Sequence, residues 1–516
     1  MDLRTLIGQH LCAGFPGLEL TEDFRRKLRE ARVGNIVLFA HNIGTREQVL
    51  NLCREIQELV TGATGYPAFI FIDQEGGVVS RLGSDCTIMP SAMGVAATGD
   101  PGLAYTAGLV TGSELRALGI NFDLAPVMDV NSNPDNPVIG VRSYGDSPEA
   151  VIPCALAMAR GLSDGGVYSC AKHFPGHGDT AVDSHLGLPR VDKSLAELEA
   201  CELRPFLEAI RAGIPAVMSS HILFPALEPE ALPATMSRKV MTGLLKEKMG
   251  FHGLVVSDCM MMRAIADHYG SLEGILAAIS AGVDLVYASH SIDLAAQAAE
   301  RLRAEWQAGT LDREELEAST HLILRLKASL PADQPGAMEQ VGSPGHLRLA
   351  DEIYEKSLTI VHLPQGGIPE PGENPLFIGC KAYVPTLASS PQEAGYSFPE
   401  ALQARFHGTA LFMSENPGPE EVAALAKQAP GHSSVVIGTY NGHLRTGQLD
   451  VVRAMAQAHP RVLCLALRNP YDLAGLPDSV TAIAAFSYNR PALKAICRLL
   501  AGEIQATGRM PVRMKG

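Results

Sequence analysis

The sequence predicts an α/β protein of two domains, a (β/α)8 TIM-like barrel followed by a C-terminal three-layer αβα sandwich. Two observations support this prediction. At 516 residues the chain exceeds the roughly 250 to 300 residues that one hydrophobic core usually supports. Short apolar runs alternate with amphipathic helical stretches, and this alternation restarts after a Pro/Gly-rich segment. We therefore expect a barrel over residues 1–335, a linker over 336–350 and a sandwich over 351–516.

Eight apolar, β-rich runs predict the parallel strands of the barrel. Helical stretches lie between them, such as residues 194–213, where apolar residues recur at helical spacing before a glycine. The alternative is an open doubly wound sheet, but eight buried strands in one domain favour closure. The runs are HLCAG (10–14), NIVLFA (35–40), AFIFID (68–73), NFDLAP (121–126), VYSCAKHF (167–174), PAVMSSHI (215–222), LVVSD (254–258) and DLVYAS (284–289).

Six further runs predict the sheet of the sandwich. Two helices, over about 291–307 and 312–329, precede the linker. The second domain lacks a nucleotide signature such as GxGxxG, so we expect it to act as a support or a lid. The runs are SLTIVHL (357–363), PLFIGC (375–380), TALFMS (409–414), SVVIGTY (434–440), VLCLALRNP (462–470) and TAIAAFSY (481–488).

Composition and charge restrict the classes of partner. The net charge of −14 disfavours nucleic acid, and no apolar run reaches the length of a membrane span. The N-terminal stretch lacks the apolar core of a signal peptide, and the ten cysteines are scattered without CxxC spacing. We expect a cytoplasmic protein with reduced thiols.

Polar residues follow most of the predicted barrel strands. Side chains just beyond the C-terminal ends of barrel strands face one common site. His221, after the sixth strand, is as consistent with a structural role as with a functional one. The stronger candidates are Asp73 and Arg81 after the third strand, Arg142 in the loop after the fourth, Lys172 and His173 at the end of the fifth, and Asp258 at the end of the seventh.

The segment AKHFPGHGDTAVDSHLGLP (171–189) is the most informative loop. Its glycines and prolines favour a loop, and residues two apart in an extended stretch point to the same side. We therefore expect Asp183 to contact His185. A carboxylate bonded to an imidazole fixes its tautomer and suits the ring for proton transfer near neutral pH.

Asp258 ends the run LVVSD, where a rigid strand would hold a carboxylate ready to attack an anomeric carbon. With the Asp183/His185 pair it supplies the two functions of a retaining glycosidase. A strand-end Asp is commonly a helix cap and an Asp/His pair commonly a loop clamp, but their combination favours catalysis. We interpret Cys259 and the methionines at 260–262 as core packing.

These motifs resemble glycoside hydrolase family 3, and specifically its β-N-acetylglucosaminidase branch of the NagZ type. The resemblance rests on IDQEGG with Arg81, VIGVRSYG, KHFPGHGDTAVDSH and VVSDCMMMRAIADHYG, and the closing TGRMPVRM is similar to the usual chain end of the family. The sequence departs from the branch at Val78, where Arg is common, and at Cys259, where an acidic residue is common.

The resemblance implies a role for each candidate. It implies Asp258 as nucleophile, His185 as acid/base and Asp183 as the partner that orients His185. The implied substrate is a non-reducing terminal β-linked N-acetylglucosamine, typically on a peptidoglycan fragment, without a metal or organic cofactor. The residues implied to bind the terminal sugar are Asp73, Arg81, Arg142, Lys172 and His173.

Three other functions stay open at this stage. A histidine acid/base does not repel phosphate, so a phosphorylase could use the same residues. A metal-dependent hydrolase could use His173, His177, Asp179 and His185, although their separations match no common zinc motif. A sugar-binding protein without catalysis is disfavoured because all three proposed catalytic groups are present.

Overall fold

The computed structural model describes residues 1–184, 186–330, 336–384, 386, 389–390 and 396–514. Its first domain confirms the predicted barrel: eight parallel strands close in chain order, and the last pairs with the first. The strands are β1 (Leu11–Ala13), β2 (Asn35–Leu38), β3 (Phe69–Ile72), β4 (Phe122–Asp123), β5 (Tyr168–Phe174), β6 (Ala216–Ser219), β7 (Leu254–Cys259) and β8 (Leu285–Ala288).

Aromatic side chains fill the interior of the barrel. The rings of Phe71 and Phe122 lie 4.5 Å apart, and Tyr287 packs 5.2 Å from Phe71. At the N-terminal end the buried Lys327 ammonium donates to Gln9 Oε1 at 2.7 Å and to the carbonyl of Gly34 at 2.9 Å. Strands buried on both faces explain why the sequence shows continuous apolar runs rather than alternation.

The outer helices of the first domain follow the strands. The prediction of one helix over residues 194–213 is wrong. Residues 194–213 form two helices because Pro205 has no N–H to donate to the carbonyl of Cys201, and the backbone leaves the helical region there. The helices are Leu3–Gln9, Glu22–Ala31, Arg46–Thr64, Ala92–Ala97, Pro101–Ala117, Pro148–Asp164, Leu195–Ala200, Leu203–Arg211, a π-helical segment Lys239–Lys248, Arg263–Ala266, Ser271–Ser280, Ile292–Ala308 and Arg313–Ala328.

The second domain contains one mixed six-stranded sheet, which confirms the predicted sandwich class. In spatial order it runs β9-β14-β13-β12-β10-β11, and the edge strand β9 is antiparallel to β14. Its strands are β9 (Thr359–His362), β10 (Leu376–Gly379), β11 (Thr409–Phe412), β12 (Val435–Thr439), β13 (Val462–Ala466) and β14 (Val480–Ala484). Its helices are Pro344–Ser357, Phe398–Phe406, Pro419–Ala426, Gly447–Ala458 and Arg490–Leu500.

The helix Pro344–Ser357 joins the two domains. It begins within the predicted linker and packs against Ala92–Ala97 of the barrel and Arg490–Leu500 of the sandwich. The domain limits at 335 and 350 stay predictions. Over the part of the chain that the structure describes, no helix combines the length and the apolar character needed to cross a membrane.

Candidate active site

A cavity of about 700 Å³ opens at the C-terminal mouth of the barrel. Its volume lies within the range of pockets that enclose small-molecule ligands. It brings together candidates that lie up to 185 positions apart in the sequence. Those that line it are Asp73, Arg81, Arg142, Lys172, His173 and Asp258.

Lys172 lies at the centre of a charged wall on one side of the cavity. Its side chain is 1% exposed, and Nζ lies 2.7 Å from Asp73 Oδ1 and 2.6 Å from Glu75 Oε1. Burial alone would lower the pKa of Lys172, but the two carboxylates raise it above its ordinary value. The buried ammonium therefore keeps its charge and can bind hydroxyl groups.

Glu75 completes this wall and was not among the candidates predicted from the sequence. Arg142 donates from Nε to Glu75 Oε2 at 2.9 Å and from Nη2 to Oε1 at 2.8 Å. Burial would raise the pKa of Glu75, but Arg142 and Lys172 hold it well below its ordinary value. Its position two residues after Asp73 was the available signal, since alternate residues leaving a strand point the same way.

Arg81 joins the barrel wall to the second domain. Its Nη1 donates to Ser390 Oγ at 3.0 Å, and its Nη2 lies 3.9 Å from Asp73 Oδ2. Val384 and Ser389, also from the second domain, line the same cavity. The C-terminal domain therefore forms part of the cavity wall, and its role as a support or a lid stays a prediction.

The turn that carries Arg142 is also held by the second domain. The backbone N–H of Val141 donates to Asn469 Oδ1 at 3.0 Å, and Asn131 Nδ2 donates to the Tyr471 hydroxyl at 2.9 Å. Gly140 has φ +46°, and a Cβ there would lie 2.4 Å from Asn469 Oδ1. Only glycine therefore fits this close contact between the domains.

His173 and the start of the long loop are anchored by Asp129, which sequence reasoning missed. The His173 Nδ1 lies 2.7 Å from Asp129 Oδ2, and the backbone N–H of His177 donates to Oδ1 at 2.6 Å. Burial, with the neighbouring His173, lowers the pKa of His177 to about 4. Both rings are thus held in place beside the cavity, and the signal for Asp129 was its position just beyond the fourth strand.

The rest of the loop reaches the cavity mouth. Ser184 and Leu186 line the cavity, and Ser184 Oγ lies 3.0 Å from His177 Nε2. Asp183 is buried, and its carbonyl accepts from the backbone N–H of Leu186 at 2.9 Å. His185 lies outside the described residues, so its contact with Asp183 stays a prediction.

Asp258 is the penultimate residue of β7 and lines the cavity that holds Lys172 and His173, and its Oδ1 accepts from the backbone N–H of Cys259 at 2.7 Å. The interpretation of the following residues as core packing is wrong in part: Met260 is fully buried, but Cys259, Met261 and Met262 line the cavity. The chain turns at the mouth after β7, which exposes these residues to the site.

His221 has both ring nitrogens engaged. Nδ1 lies 2.9 Å from Thr235 Oγ1, and Nε2 lies 3.0 Å from the carbonyl oxygen of Cys259. His221 is not among the described residues that line the cavity. These contacts favour the structural role over the functional one.

The sequence matches a known protein family and a group of named relatives. The profile described as "Glycosyl hydrolase family 3 N terminal domain" matches residues 3–326. Beta-hexosaminidase A of Pseudoalteromonas piscicida is 31% identical, over 93% of this chain and 89% of its own.

Two solved structures extend the likeness to the second domain. A glycoside hydrolase family 3 beta-N-acetylglucosaminidase from Paenibacillus sp. str. FPU-7 is 35% identical, with a TM-score of 0.92 over 100% of this chain and 99% of that one. A beta-glucoside phosphorylase is 25% identical, with a TM-score of 0.81 over 99% of this chain and 94% of that one.

Proposed function

Since the chain belongs to glycosyl hydrolase family 3, we propose that it is a retaining, exo-acting β-N-acetylglucosaminidase that releases non-reducing terminal β-linked N-acetylglucosamine. The observation that carries this proposal is the position of Asp258 in the same cavity as the charged wall around Lys172. Relatives named for β-hexosaminidase and β-N-acetylglucosaminidase support the choice of sugar.

The charged wall suits the non-reducing end of a sugar. Carboxylates accept hydrogen bonds from hydroxyl groups, while ammonium and guanidinium groups donate to them. Asp73 is the partly exposed member, at 19%, whereas Glu75 is almost fully buried at 4%. We infer that Asp73, Arg81, Arg142, Lys172 and His173 bind the terminal sugar, while Glu75 holds Lys172 and Arg142 in position.

Asp258 would then act as the nucleophile. Its carboxylate would attack the anomeric carbon, form a bond to it and break the bond to the leaving oxygen. The strand end and the 2.7 Å hydrogen bond from Cys259 limit its reorganisation. A water molecule would cleave the resulting glycosyl ester and restore the β configuration.

The proton for the leaving oxygen would come from His185, with Asp183 as its orienting partner. The sequence supports this pair, and the position of Ser184 and Leu186 on the cavity wall brings the loop to the site. His185 would first donate its proton and then remove one from the incoming water.

Trapping the intermediate tests the proposal directly. Wild-type enzyme incubated with a 5-fluoro analogue of N-acetylglucosaminyl fluoride should carry a glycosyl adduct on Asp258, located by peptide mass spectrometry. Asp258→Ala should abolish turnover of an aryl β-N-acetylglucosaminide, while Asp450→Ala, at an exposed site of the second domain, should retain it. An adduct on another residue, or full activity in Asp258→Ala, rejects the assignment.

A phosphorylase using the same residues is the second candidate, and the likeness to a beta-glucoside phosphorylase favours keeping it. In that reaction phosphate rather than water would attack the glycosyl ester. Products formed with and without phosphate separate the two, since dominant N-acetylglucosamine 1-phosphate would replace the hydrolase proposal and leave the residue roles unchanged.

We further propose that the substrates are amino-sugar oligosaccharides, including peptidoglycan fragments, and that the enzyme acts in the cytoplasm. All ten cysteines are free thiols, and seven of them are buried. Free thiols in this number suit a reducing compartment.

A further inference from the structure

Three rings form a rim on the cavity wall that faces the charged residues. Phe39 follows β2, and its centroid lies 4.6 Å from that of His290, which follows β8. The His41 centroid lies 5.7 Å from that of Phe39, with an interplanar angle of 16°, and 6.5 Å from that of His290, so the three rings form one cluster. We call Phe39, His41 and His290 the aromatic rim, and all three line the cavity.

The position of the rim follows from the strand order. The charged wall comes from β3, the loop after β4, and β5, so it is centred on β4. The rim comes from β2 and β8, which flank β1. In a closed barrel of eight strands in chain order, β1 is three strands from β4, so the rim lies on the side of the mouth away from the centre of the charged wall. Asp258, at the end of the neighbouring β7, lies between the wall and the rim.

This order determines where each part of a substrate can lie. If the charged wall holds the non-reducing sugar and Asp258 faces its anomeric carbon, the leaving group must extend away from the wall. The rim occupies that direction, and the cavity of about 700 Å³ exceeds the volume of one monosaccharide.

The chemistry of the rim suits a sugar ring. Phe39 is half-buried, His41 and His290 are exposed, and all three line the cavity, so a ligand in the cavity can contact their rings. The apolar face of a pyranose packs on aromatic rings, and imidazole nitrogens can bond to its hydroxyl groups. On this side of the cavity, the described lining residues include no carboxylate apart from Asp258.

We propose that the aromatic rim is the subsite for the leaving group and that it binds a pyranose ring by stacking. The inference rests on the proposed function, because the subsite is defined relative to the bond that is cleaved. It goes beyond that function by naming the residues that bind the aglycone sugar and the contact by which they bind it.

The test compares two substrates that leave as alcohols, N,N′-diacetylchitobiose and methyl β-N-acetylglucosaminide. Only the first carries a pyranose aglycone. Phe39→Leu and His290→Gln each remove a ring and keep much of its volume. In the double variant, kcat/KM for the disaccharide should fall about ten-fold, while that for the methyl glycoside should stay within about two-fold.

The control is His268→Gln, which changes an exposed histidine outside the cavity lining and should leave both values unchanged. Phe39→Trp keeps a ring and should retain the preference for the disaccharide, which separates stacking from a general effect on folding. If the two kcat/KM values fall equally, so that their ratio stays that of the wild type, the proposed role of the aromatic rim is wrong. The proposed activity is unaffected by that result. Absence of turnover of either substrate by the wild-type enzyme overturns both proposals.

Discussion

The side-chain oxygen of Asn469, in the C-terminal domain, accepts a hydrogen bond at 3.0 Å from the backbone N–H of Val141, the residue before Arg142 in the barrel. Arg142 in turn binds Glu75 through two hydrogen bonds. The second domain therefore helps to position a side chain of the proposed sugar site. The contact is made with the backbone of Val141. A substitution of Arg142 would therefore leave it in place and would not test it.

Asn469→Ala should weaken substrate binding without removing any group that touches the sugar. The buried N–H of Val141 would lose its partner, which costs about 1–3 kcal/mol, and the turn with Arg142 would shift. We expect KM for an aryl β-N-acetylglucosaminide to rise about ten-fold with kcat little changed. Asn416→Ala, which removes a hydrogen bond within the second domain, is the matched control. Steady-state kinetics that do not differ between the two variants would contradict the prediction.

Glu75→Gln should destabilise the protein and impair binding together. The substitution keeps the shape but removes the charge that holds Lys172 and Arg142, and breaking a buried ion pair costs about 3–5 kcal/mol. We expect a lower Tm and a higher KM. Glu149→Gln breaks an exposed pair with Arg204 and should change the free energy of unfolding by under about 0.5 kcal/mol. A Tm equal to that of wild type would show that the ion pairs of Glu75 with Lys172 and Arg142 do not stabilise the fold.

His185→Ala should affect poor leaving groups more than good ones. A 2,4-dinitrophenolate leaves without protonation, whereas the alkoxide of a natural disaccharide requires it. We expect kcat/KM for N,N′-diacetylchitobiose to fall by about 100-fold or more, and that for the dinitrophenyl glycoside to fall far less. Equal losses with both substrates would remove His185 from the role of acid/base.

The buried His177 should make stability fall in acid. Its pKa is about 4 in the folded protein and about 6.5 when unfolded, so the unfolded chain takes up the proton first as pH falls. Its contribution is therefore fully present above pH 6.5 and is lost as pH falls towards 4, at about 1.4 kcal/mol per unit. Between these pH values Tm of wild type should fall more steeply than that of His177→Gln. Parallel curves for the two proteins would contradict this prediction.

Chelation should leave the activity unchanged. Both ring nitrogens of His177 and the Nδ1 of His173 are bonded to protein groups, and Asp179 accepts a hydrogen bond from Ser132. These side chains are therefore engaged in ways that disfavour a metal-ligand set. Turnover measured before and after dialysis against EDTA checks this. Full loss of activity, restored by zinc or manganese, would favour the metal-dependent hydrolase.

Much of the molecule could be predicted from local pattern. The eight barrel strands and six sandwich strands follow from apolar runs, because burial on both faces requires continuous apolar sequence. The position of Asp73, Lys172 and Asp258 at strand ends was enough to place them at one mouth, since all strands of the barrel are parallel. The break between the two helices at Cys201 could also have been predicted, because Pro205 follows four residues later.

The sequence by itself determined the two folds and the set of charged and acidic side chains that converge on the barrel mouth. Only the tertiary structure decided which of these side chains pair. It alone showed Glu75 between Lys172 and Arg142, and it alone showed Asn469 and Ser390 reaching the barrel from over 300 positions away in the chain. Periodicity reports how each segment meets the core, whereas a contact between distant segments depends on how the domains dock, which no local pattern records.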